Sequence, residues 1–502
     1  MHLEQGSTVG SIHQQGLNLA DLQLPSSRIV GLIGDSGVGK SSLINSLLDK
    51  IDLARASGNG TACTCAVTEY VFHDRDDYAI HSDYFTLEEL RRQFEELLRA
   101  YRDYEQLPKT TKDQIEDEES ESANKALKKK ALLASQTFEA IFKEKITKHP
   151  TLLSSMAFDR SVGMMSDWAS EVLPRFEGEE SFSTIEQCSS RLRELSSDSD
   201  ESSTEQPRWP FIRKLRVHLN AYILSQGLII ADLPGLRDSN SARKAITERY
   251  VRQCHQIFAV ARIDRAITDE SVKDIFELAR RANLAKVDVV CTRSEDVQIR
   301  EARHDWIEER ARIEELQSAI DIETHELGLL REEMEDLGQD TATLTREDEQ
   351  DLRQLQYEYH KTERSKLSNE FELLSLVVGL RNAKVSKLLL EQYRDDLHAS
   401  ALKIFCVSNK VYWDHRGKPR KASMPYLTMS GIMELRQYCI GIVADGRLRV
   451  TKEFINDQVP AFLGSVELWV EAGAGNANAE RKQRILHAVS AVQQALEEVC
   501  IS

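Results

Sequence analysis

The chain has 502 residues, enough for about two to four domains of ordinary size with ample core. Charged residues make up 29% and the formal net charge is −17, which argues against a nucleic-acid-coating protein and for a soluble one. The eight cysteines are scattered, with only Cys63 and Cys65 close together. They are too few for a disulfide scaffold, and a Cys-x-Cys pair alone is a poor zinc site, as expected of reduced thiols. No apolar run approaches the ~20 residues of a membrane span. The opening stretch MHLEQGSTVGSIHQQG lacks the basic and apolar regions of a signal peptide. The expectation is an intracellular protein, cytoplasmic or nuclear, with no membrane or nucleic-acid partner.

Residues 1–27 are polar, and one amphipathic stretch (Leu17, Leu19, Leu22, Leu24) predicts a short helix leading into the first strand. Residues 29–48, IVGLIGDSGVGKSSLINSLL, carry the strongest signal. Ile29, Val30, Leu32 and Ile33 read as a buried strand, glycines punctuate a loop, and Leu43, Ile44, Leu47 and Leu48 fall at helical spacing. Strand, glycine-rich loop and helix in that order match the phosphate-binding G-x-x-x-x-G-K-[ST] loop. Backbone N–H groups along Gly34, Asp35, Ser36, Gly37, Val38, Gly39, Lys40, Ser41 and Ser42 can curl around phosphate at the helix N-terminus. Lys40 supplies a mobile positive charge between the β- and γ-phosphates, and the Ser41 hydroxyl ligates Mg²⁺. With Ser36 and a switch threonine, Lys40 makes up the candidate catalytic set.

Gly58, Asn59 and Gly60 mark a flexible loop before a β-rich run from Ala66 to Phe72. A threonine at the end of such a loop is where a nucleotide switch places its ligand for Mg²⁺ and the γ-phosphate. Thr64 fits by its distance to the strand, and Thr61 is the alternative. From Phe85 to about Pro207 the spacing turns helical, as in LEELRRQFEELLRAY. The Ser/Asp/Glu run before Trp209 reads as a solvated, disordered loop. This insertion holds no catalytic constellation.

The sheet resumes at Ile212 to Leu219, where basic and apolar residues alternate. GLIIADLPGLRD then gives an apolar strand ending in Asp232, with Gly235 three residues on, the D-x-x-G spacing of a GTPase. In that motif the carboxylate reaches Mg²⁺ through water and the glycine N–H bonds the γ-phosphate. An ATPase of the coiled-coil type ends this strand in Asp-Glu and needs an LSGGQ-like signature, and neither is present. Ras-like enzymes place a water-orienting Gln after the glycine; here Leu236 stands there. Hydrolysis must therefore use P-loop groups, a backbone carbonyl or a partner's residue. Residues 244–261 predict a helix and an apolar strand that runs into RIDRAITDESV, at the sheet edge where ligand loops of α/β folds gather. Arg262 and Arg265 there suit a surface salt bridge better than a nucleotide contact.

A strand from Val287 to Cys291 ends in Thr292, where guanine-specific GTPases carry [NT]-K-x-D. Arg293 replaces the Lys, and Glu295 holds the Asp register with Asp296 beside it. Arg can still stack on a base, and either carboxylate can accept from guanine N1 and N2. A site that pairs with a base edge rejects the wrong base by roughly 10⁴-fold or more. Residues 298–399 interrupt the fold with apolar residues at 3-4 spacing (Ile313, Leu316, Ile320, Leu327, Leu330, Met334, Leu337), Glu323 being the polar member. A turn and a second helix make this an antiparallel hairpin with a coiled-coil seam, its first helix running from 298 to 335 over about 57 Å. Such an arm moves with the nucleotide domain or binds a protein partner. The strand in LKIFCVSNK ends in Ser408, Asn409 and Lys410, similar to the last guanine-contact loop. After Ser430 three helical segments follow, split by Pro460 and by GAGNANA.

GDSGVGKSSLINSLL, ACTCAVTEY, ADLPGLRD, CTRSED and FCVSNK, in this order and with large helical insertions, resemble the dynamin-like large GTPases. The resemblance covers roughly residues 28–445. It implies an α/β P-loop GTPase, a mostly parallel sheet with helices on both faces, interrupted by insertions at 84–207 and 298–399. A lead-in at 1–27 and a helical region at 446–502 flank it. It also implies GTP as substrate, Mg²⁺ held by Ser41, Thr64 and Asp232, and nucleotide-dependent pairing of two GTPase domains as a homodimer. Two departures stand out: the Arg-x-Glu guanine motif and the short C-terminal region, which leaves little room for a stalk or lipid-binding element. The alternative reading is a nucleotide-gated scaffold that hydrolyses little and holds a partner on its helical arm.

Overall fold

A computed structural model describes residues 8–20, 27–54, 66–107, 122–173, 178–196, 209–236, 241–282, 286–338, 346–394 and 402–472, with 487 and 489–490 besides. The apolar runs of the sequence become the middle of a sheet that has nine strands among those residues. They are β1 (Arg28–Ile33), β2 (Thr68–Phe72), β3 (Tyr78–Tyr84), β4 (Glu179–Phe182), β5 (Ile212–Leu219), β6 (Leu228–Asp232), β7 (Gln256–Arg262), β8 (Val287–Thr292) and β9 (Ile404–Cys406). Their order is β4-β3-β5-β2-β6-β1-β7-β8-β9. β1 with β7, β7 with β8, β8 with β9 and β2 with β5 are parallel pairs. β2 with β6, β3 with β5 and β3 with β4 are antiparallel. β7 and β8 are buried on both faces, which is why they read as nearly unbroken apolar runs.

β3 and β4 have no counterpart among the strands read from the sequence. Polar residues such as His81, Ser82 and Asp83 interrupt the apolar pattern of β3, so only pairing with β5 makes it a strand. The alternation in β5 also has a tertiary cause. Lys214 Nζ and Arg216 Nε each lie 3.0 Å from the carboxylate of Glu69 on neighbouring β2, a residue only 2% exposed. The basic positions neutralise that buried charge, as a buried carboxylate requires.

The first insertion is a small helical body with its own core. Helix Leu87–Glu105 starts at a capping box, Thr86 with Glu89, and buries Leu90, Phe94 and Leu98. These meet Phe138, Ile141 and Phe142 of helix Ser122–Lys148, and Val162, Met165 and Ala169 of helix Phe158–Val172. The Phe94 and Phe142 rings meet edge to face with centroids 5.5 Å apart.

The second insertion departs from the single 298–335 helix expected. Ile299–Asp305 is a short helix of its own, and the chain restarts as Arg310–Gly338, 29 residues or about 43 Å. The break lets Ala302 and Trp306 fold back onto Ile313, Leu316, Ile320, Leu373 and Val377 at the base of the hairpin. The returning helix, Arg346–Gln392, is 47 residues long. Arg312 pairs with Glu372, and Glu323 accepts from Ser365 Oγ at 2.6 Å and from Asn369 Nδ2 at 3.0 Å, so the two helices are antiparallel. Glu323, the polar member of the seam, is thus satisfied by two partners that fix the register. The long helix then outlasts the hairpin. Val385, Leu389 and Tyr393 join the sheet's core, with Tyr393 stacked on Phe276 at 4.4 Å between centroids.

A smaller unit is drawn from 1–28, 226–228 and 437–502. Within it, helix Thr8–Ala20 meets helix Val459–Ala472, where the Phe462 ring would lie 3.3 Å from a Cβ placed on Gly16. Pro460 does mark the start of a new helical segment. It sits in the first turn of Val459–Ala472, where its missing N–H costs little, and a π-helical turn, Phe454–Gln458, links that helix to Ile432–Glu453. Among the described residues no helix is long and apolar enough to cross a membrane.

Candidate functional site

The candidate site gathers at the ends of β1, β6, β8 and β9. β1 delivers the chain to Gly34, which lies so close to β7 that a Cβ there would sit 2.2 Å from the Val260 carbonyl oxygen. Gly39 takes φ +97°, a left-handed conformation that turns the chain into helix Lys40–Leu48. Lys40 is only 8% exposed, and its Nζ donates to Gly34 O at 2.6 Å and to Asp35 O at 3.3 Å. Ser36 and Gly37 form the exposed crest of the loop, Val38 is buried, and Ser41 and Ser42 are half-buried in the first helical turn.

Asp232 ends β6, opposite Thr68 of β2 in the register, and is 4% exposed. Leu233 N donates to Leu32 O at 3.1 Å, and the Cβ position of Gly235 lies 3.1 Å from Gly34 O. The D-x-x-G turn and the P-loop therefore abut backbone to backbone. Leu236, in the place of a water-orienting Gln, is 3% exposed and packs into the sheet's core with Ile33 and Leu233. Thr64 and Thr61 lie outside the described residues, as do Cys63 and Cys65.

Thr292 and its followers are tied to the same loop. The Thr292 hydroxyl, fully buried, lies 2.6 Å from Val38 O and 3.3 Å from Ala261 O. Arg293, exposed, takes φ +59°, which costs a non-glycine residue roughly 1–2 kcal/mol. Ser294 N donates to Val407 O at 3.1 Å, which joins this turn to the loop after β9. Glu295 is half-buried, and its Oε2 has no hydrogen-bond partner among the described residues. Asp296 is 63% exposed, 3.9 Å from Arg293 Nη1. Ser408 caps helix Asn409–Arg416 by accepting from Val411 N at 3.0 Å, and its own N–H donates to Ser430 O at 2.8 Å. Asn409 is half-buried and Lys410 exposed. Arg262, as expected of a salt bridge, makes a two-point contact with Asp264 at 3.1 and 2.9 Å.

Two groups of residues were missed by sequence reasoning. The first ties the P-loop helix to helix Asn409–Arg416. Asp49, at φ +58° beyond that helix's C-terminus, accepts from Tyr412 OH at 2.8 Å and from Arg416 Nε and Nη2 at 2.9 and 2.6 Å. These residues are 363 and 367 positions apart from it, so no local pattern announces the contact. Burial pushes the Asp49 carboxyl up, but hydrogen bonds from Arg416 and Tyr412 and the charges of Arg416 and Arg436 outweigh it and leave the pKa below the ordinary carboxylate value. A carboxyl lowered on folding stabilises the protein above its unfolded pKa of about 3.9, and the contribution fades as pH falls through the lower folded value. The urea midpoint of Asp49→Asn should therefore lie below the wild type from pH 7 to 5, with the gap closing below about pH 4. A gap constant down to pH 3 would remove Asp49's charge from the account.

The second missed residue is Arg381 of the long helix. Its guanidinium donates through Nη1 to Asp296 O at 2.5 Å and through Nη2 to Ser294 O at 2.6 Å and Arg293 O at 3.3 Å. The one sequence signal is a charge on the apolar stripe between Val377 and Val385. Beside it a cavity of about 640 Å³ is walled by Ile263, Arg293, Glu295, Trp306, Arg381 and Lys384, among others.

Comparison with known proteins agrees with these motifs. In the curated relatives, 277 residues are 21% identical to the nuclear GTPase SLIP-GC of Mus musculus, over 54% of this chain and 33% of that protein. The Homo sapiens protein of the same description is 23% identical over 264 residues, 50% of this chain and 30% of its own length. The matched part thus spans about a third of those relatives. Among solved structures, two chains of an oligomerised bacterial dynamin pair, described as providing a mechanism for long-range sensing and tethering of membranes, are 14% and 15% identical. They cover 99% and 98% of this chain and 61% and 51% of their own, each with a TM-score of 0.41. The model of the Dynamin family matches residues 30–293, from β1 to the turn after β8. With more than half of its length matched, including the P-loop and the D-x-x-G turn, this chain belongs to the dynamin family.

Proposed function

We propose that the chain binds GTP with Mg²⁺ and hydrolyses it to GDP and phosphate. The observation that carries this reading is the abutment of the P-loop and D-x-x-G turns, with Lys40 and Asp232 both nearly buried where the two backbones meet. Residues 28–445 form the nucleotide domain, insertions 84–207 and 298–399 included, and 446–502 a helical region. Backbone N–H groups of the loop from Gly34 to Ser42 hold the phosphates, Lys40 bridges the β- and γ-phosphates, and Ser36 borders the γ-phosphate. The oxygen donors Ser41 and Asp232, with Thr64, suit Mg²⁺, which prefers one or two carboxylates plus hydroxyl and water. That ion would neutralise charge on the phosphates. Water attacks the γ-phosphorus in line, its bond to the β–γ bridging oxygen breaks, and GDP leaves with that electron pair. Of the two base-reading candidates Glu295 is the better placed. It holds the motif register and has an acceptor oxygen in need of donors, whereas Asp296 is exposed and drawn to Arg293. Thr292 braces the loop, Arg293 covers the base, and the N–H of Asn409, between Ser408 and Lys410, faces guanine O6, since that of Ser408 is already engaged.

Membership of the dynamin family and the names of its nuclear relatives support self-association through GTPase domains and a cytoplasmic or nuclear setting. Intrinsic turnover should be slow, on the order of 10⁻⁴ s⁻¹, because no Gln orients the water, and an arginine supplied in trans typically adds 10³ to 10⁵. One observation favours the scaffold alternative: Leu236 is committed to the core and offers the water nothing.

One series of measurements separates these readings. GTP and ATP compete for a fluorescent nucleotide on the wild type, Glu295→Ala and Asp296→Ala, and phosphate release is followed across protein concentration. GTP should win by at least about 100-fold, Glu295→Ala should lose most of that preference and Asp296→Ala little. Specific activity should rise with concentration. Equal affinity for ATP would remove the guanine reading, and saturable binding without multiple turnover would leave the scaffold.

A further inference from the structure

The nucleotide reading leaves the long helix without a task at the site, yet that helix reaches it. Val377, Arg381 and Val385 follow one another at four-residue spacing and so share a face. Val377 belongs to the hairpin's base, with Ile313, Leu316 and Ile320. Val385 belongs to the sheet's core, with Leu389 and Tyr393. Arg381 stands between the two, and instead of an apolar neighbour it meets the carbonyls of Arg293, Ser294 and Asp296. The Asp296 N–H closes this turn on Arg293 O at 3.1 Å, and Val297 N donates to Glu295 O at 2.8 Å.

We propose that Arg381 is the positioning residue for the base-contact turn, and that through it helix Arg346–Gln392 ties the helical arm to nucleotide affinity. The inference rests on the nucleotide reading above. Its physical basis is the match between donor and acceptors. A planar guanidinium presents N–H groups from separate nitrogens in a rigid fork that spans carbonyls several positions apart, whereas the donors of an ammonium radiate from one nitrogen on a flexible stem. The turn needs such support because Arg293 holds a left-handed conformation that L-residues avoid, and a strained turn persists only where its surroundings over-determine it. Other ties among the described residues are Thr292 Oγ1 to Val38 O and Ala261 O, Ser294 N to Val407 O, and Ile263 N to Thr292 O at 3.0 Å. They hold the turn's entrance. Arg381 grips its far side, at the Asp296 carbonyl. With the carbonyls engaged, the Glu295 and Asp296 carboxylates are left for a ligand. The arm's second helix runs unbroken from the hairpin to the sheet, so a load on the arm can reach the turn through Arg381.

The test uses the full chain with Arg381→Lys and Arg381→Leu. Four readouts are taken: amide exchange of peptides spanning 292–298, the GTP-to-ATP affinity ratio, the release rate of fluorescent GDP, and the affinity for inorganic pyrophosphate, which reports on the phosphate end alone. Both variants should exchange faster across 292–298, lose about tenfold in the GTP-to-ATP ratio and release fluorescent GDP about tenfold faster. Pyrophosphate affinity should stay within twofold. Arg381→Lys, which keeps the charge and a single-point donor, should be the milder and serves where Arg381→Leu does not fold. Unchanged exchange and an unchanged ratio in Arg381→Lys would overturn the proposal, and so would an equal loss of pyrophosphate affinity, which marks general unfolding of the site. If the wild type binds no guanine nucleotide, the functional reading fails, and amide exchange alone decides the role of Arg381.

Discussion

Lys40→Ala should fold and fail to turn over GTP. Multiple-turnover phosphate release should fall by on the order of 10²–10³ or more, the scale on which one preorganised electrostatic donor acts in a transition state. The reason is position as much as charge. Lys40 opens the helix behind the loop and is nearly buried, and its Nζ reaches back over the loop to Gly34 O and Asp35 O. A triphosphate in that loop would offer the same ammonium charged oxygens in place of neutral carbonyls, and charge-assisted hydrogen bonds are roughly twice as strong as neutral ones. Replacing the side chain removes its hydrogen bonds to Gly34 O and Asp35 O, each worth about 1 kcal/mol net, and the thermal midpoint should drop by several degrees. Hydrolysis within threefold of the wild type would mean that the loop is not the phosphate site.

Gly34→Ala should be among the most damaging single methyls in the nucleotide domain. The added Cβ would fall 2.2 Å from Val260 O and 3.1 Å from Val260 C, both backbone atoms of β7, and 3.0 Å from Val38 Cγ2. No rotamer relieves a backbone clash, so β1 and β7 must part where they pair, at Ile33 and Ala259. Overpacking of this kind costs about 3 kcal/mol or more, and it displaces the loop that starts there, so nucleotide binding should vanish with the stability. Gly37→Ala is the matched control. Gly37 takes φ +80° with nothing within 4 Å of its Cβ position, so its cost is conformational alone, about 1 kcal/mol. Urea denaturation of the two variants side by side checks the contrast. Equal midpoints would show that β7 does not press on the loop as drawn.

Much of the motif pattern is legible in the sequence because it is written in contiguous residues. The P-loop is strand, glycines and helix within 20 positions, and Asp232 and Gly235 lie on one turn at the end of an apolar strand. Local periodicity also announced the hairpin and its polar seam residue. It placed the first break wrongly, because the chain turns at Trp306 to bury that ring, a contact with helix Arg346–Gln392 that 3-4 spacing does not contain. β3 was invisible for a similar reason, since a strand full of polar residues is defined by its neighbour rather than by its own pattern.

The sequence by itself determined the order of the motifs, the loop and turn that carry Lys40, Ser41 and Asp232, and the existence of an arm, since each depends on residues a few positions apart. Only the tertiary structure decided how these parts are braced. It brought Asp49 to Arg416, Thr292 to Val38 and Arg381 to the turn at 293–296, and it assigned Leu236 to the core. Such contacts join side chains to backbone carbonyls or carboxylates far away in the chain. A carbonyl carries no residue identity, so nothing in the letters marks which one a distant arginine will hold.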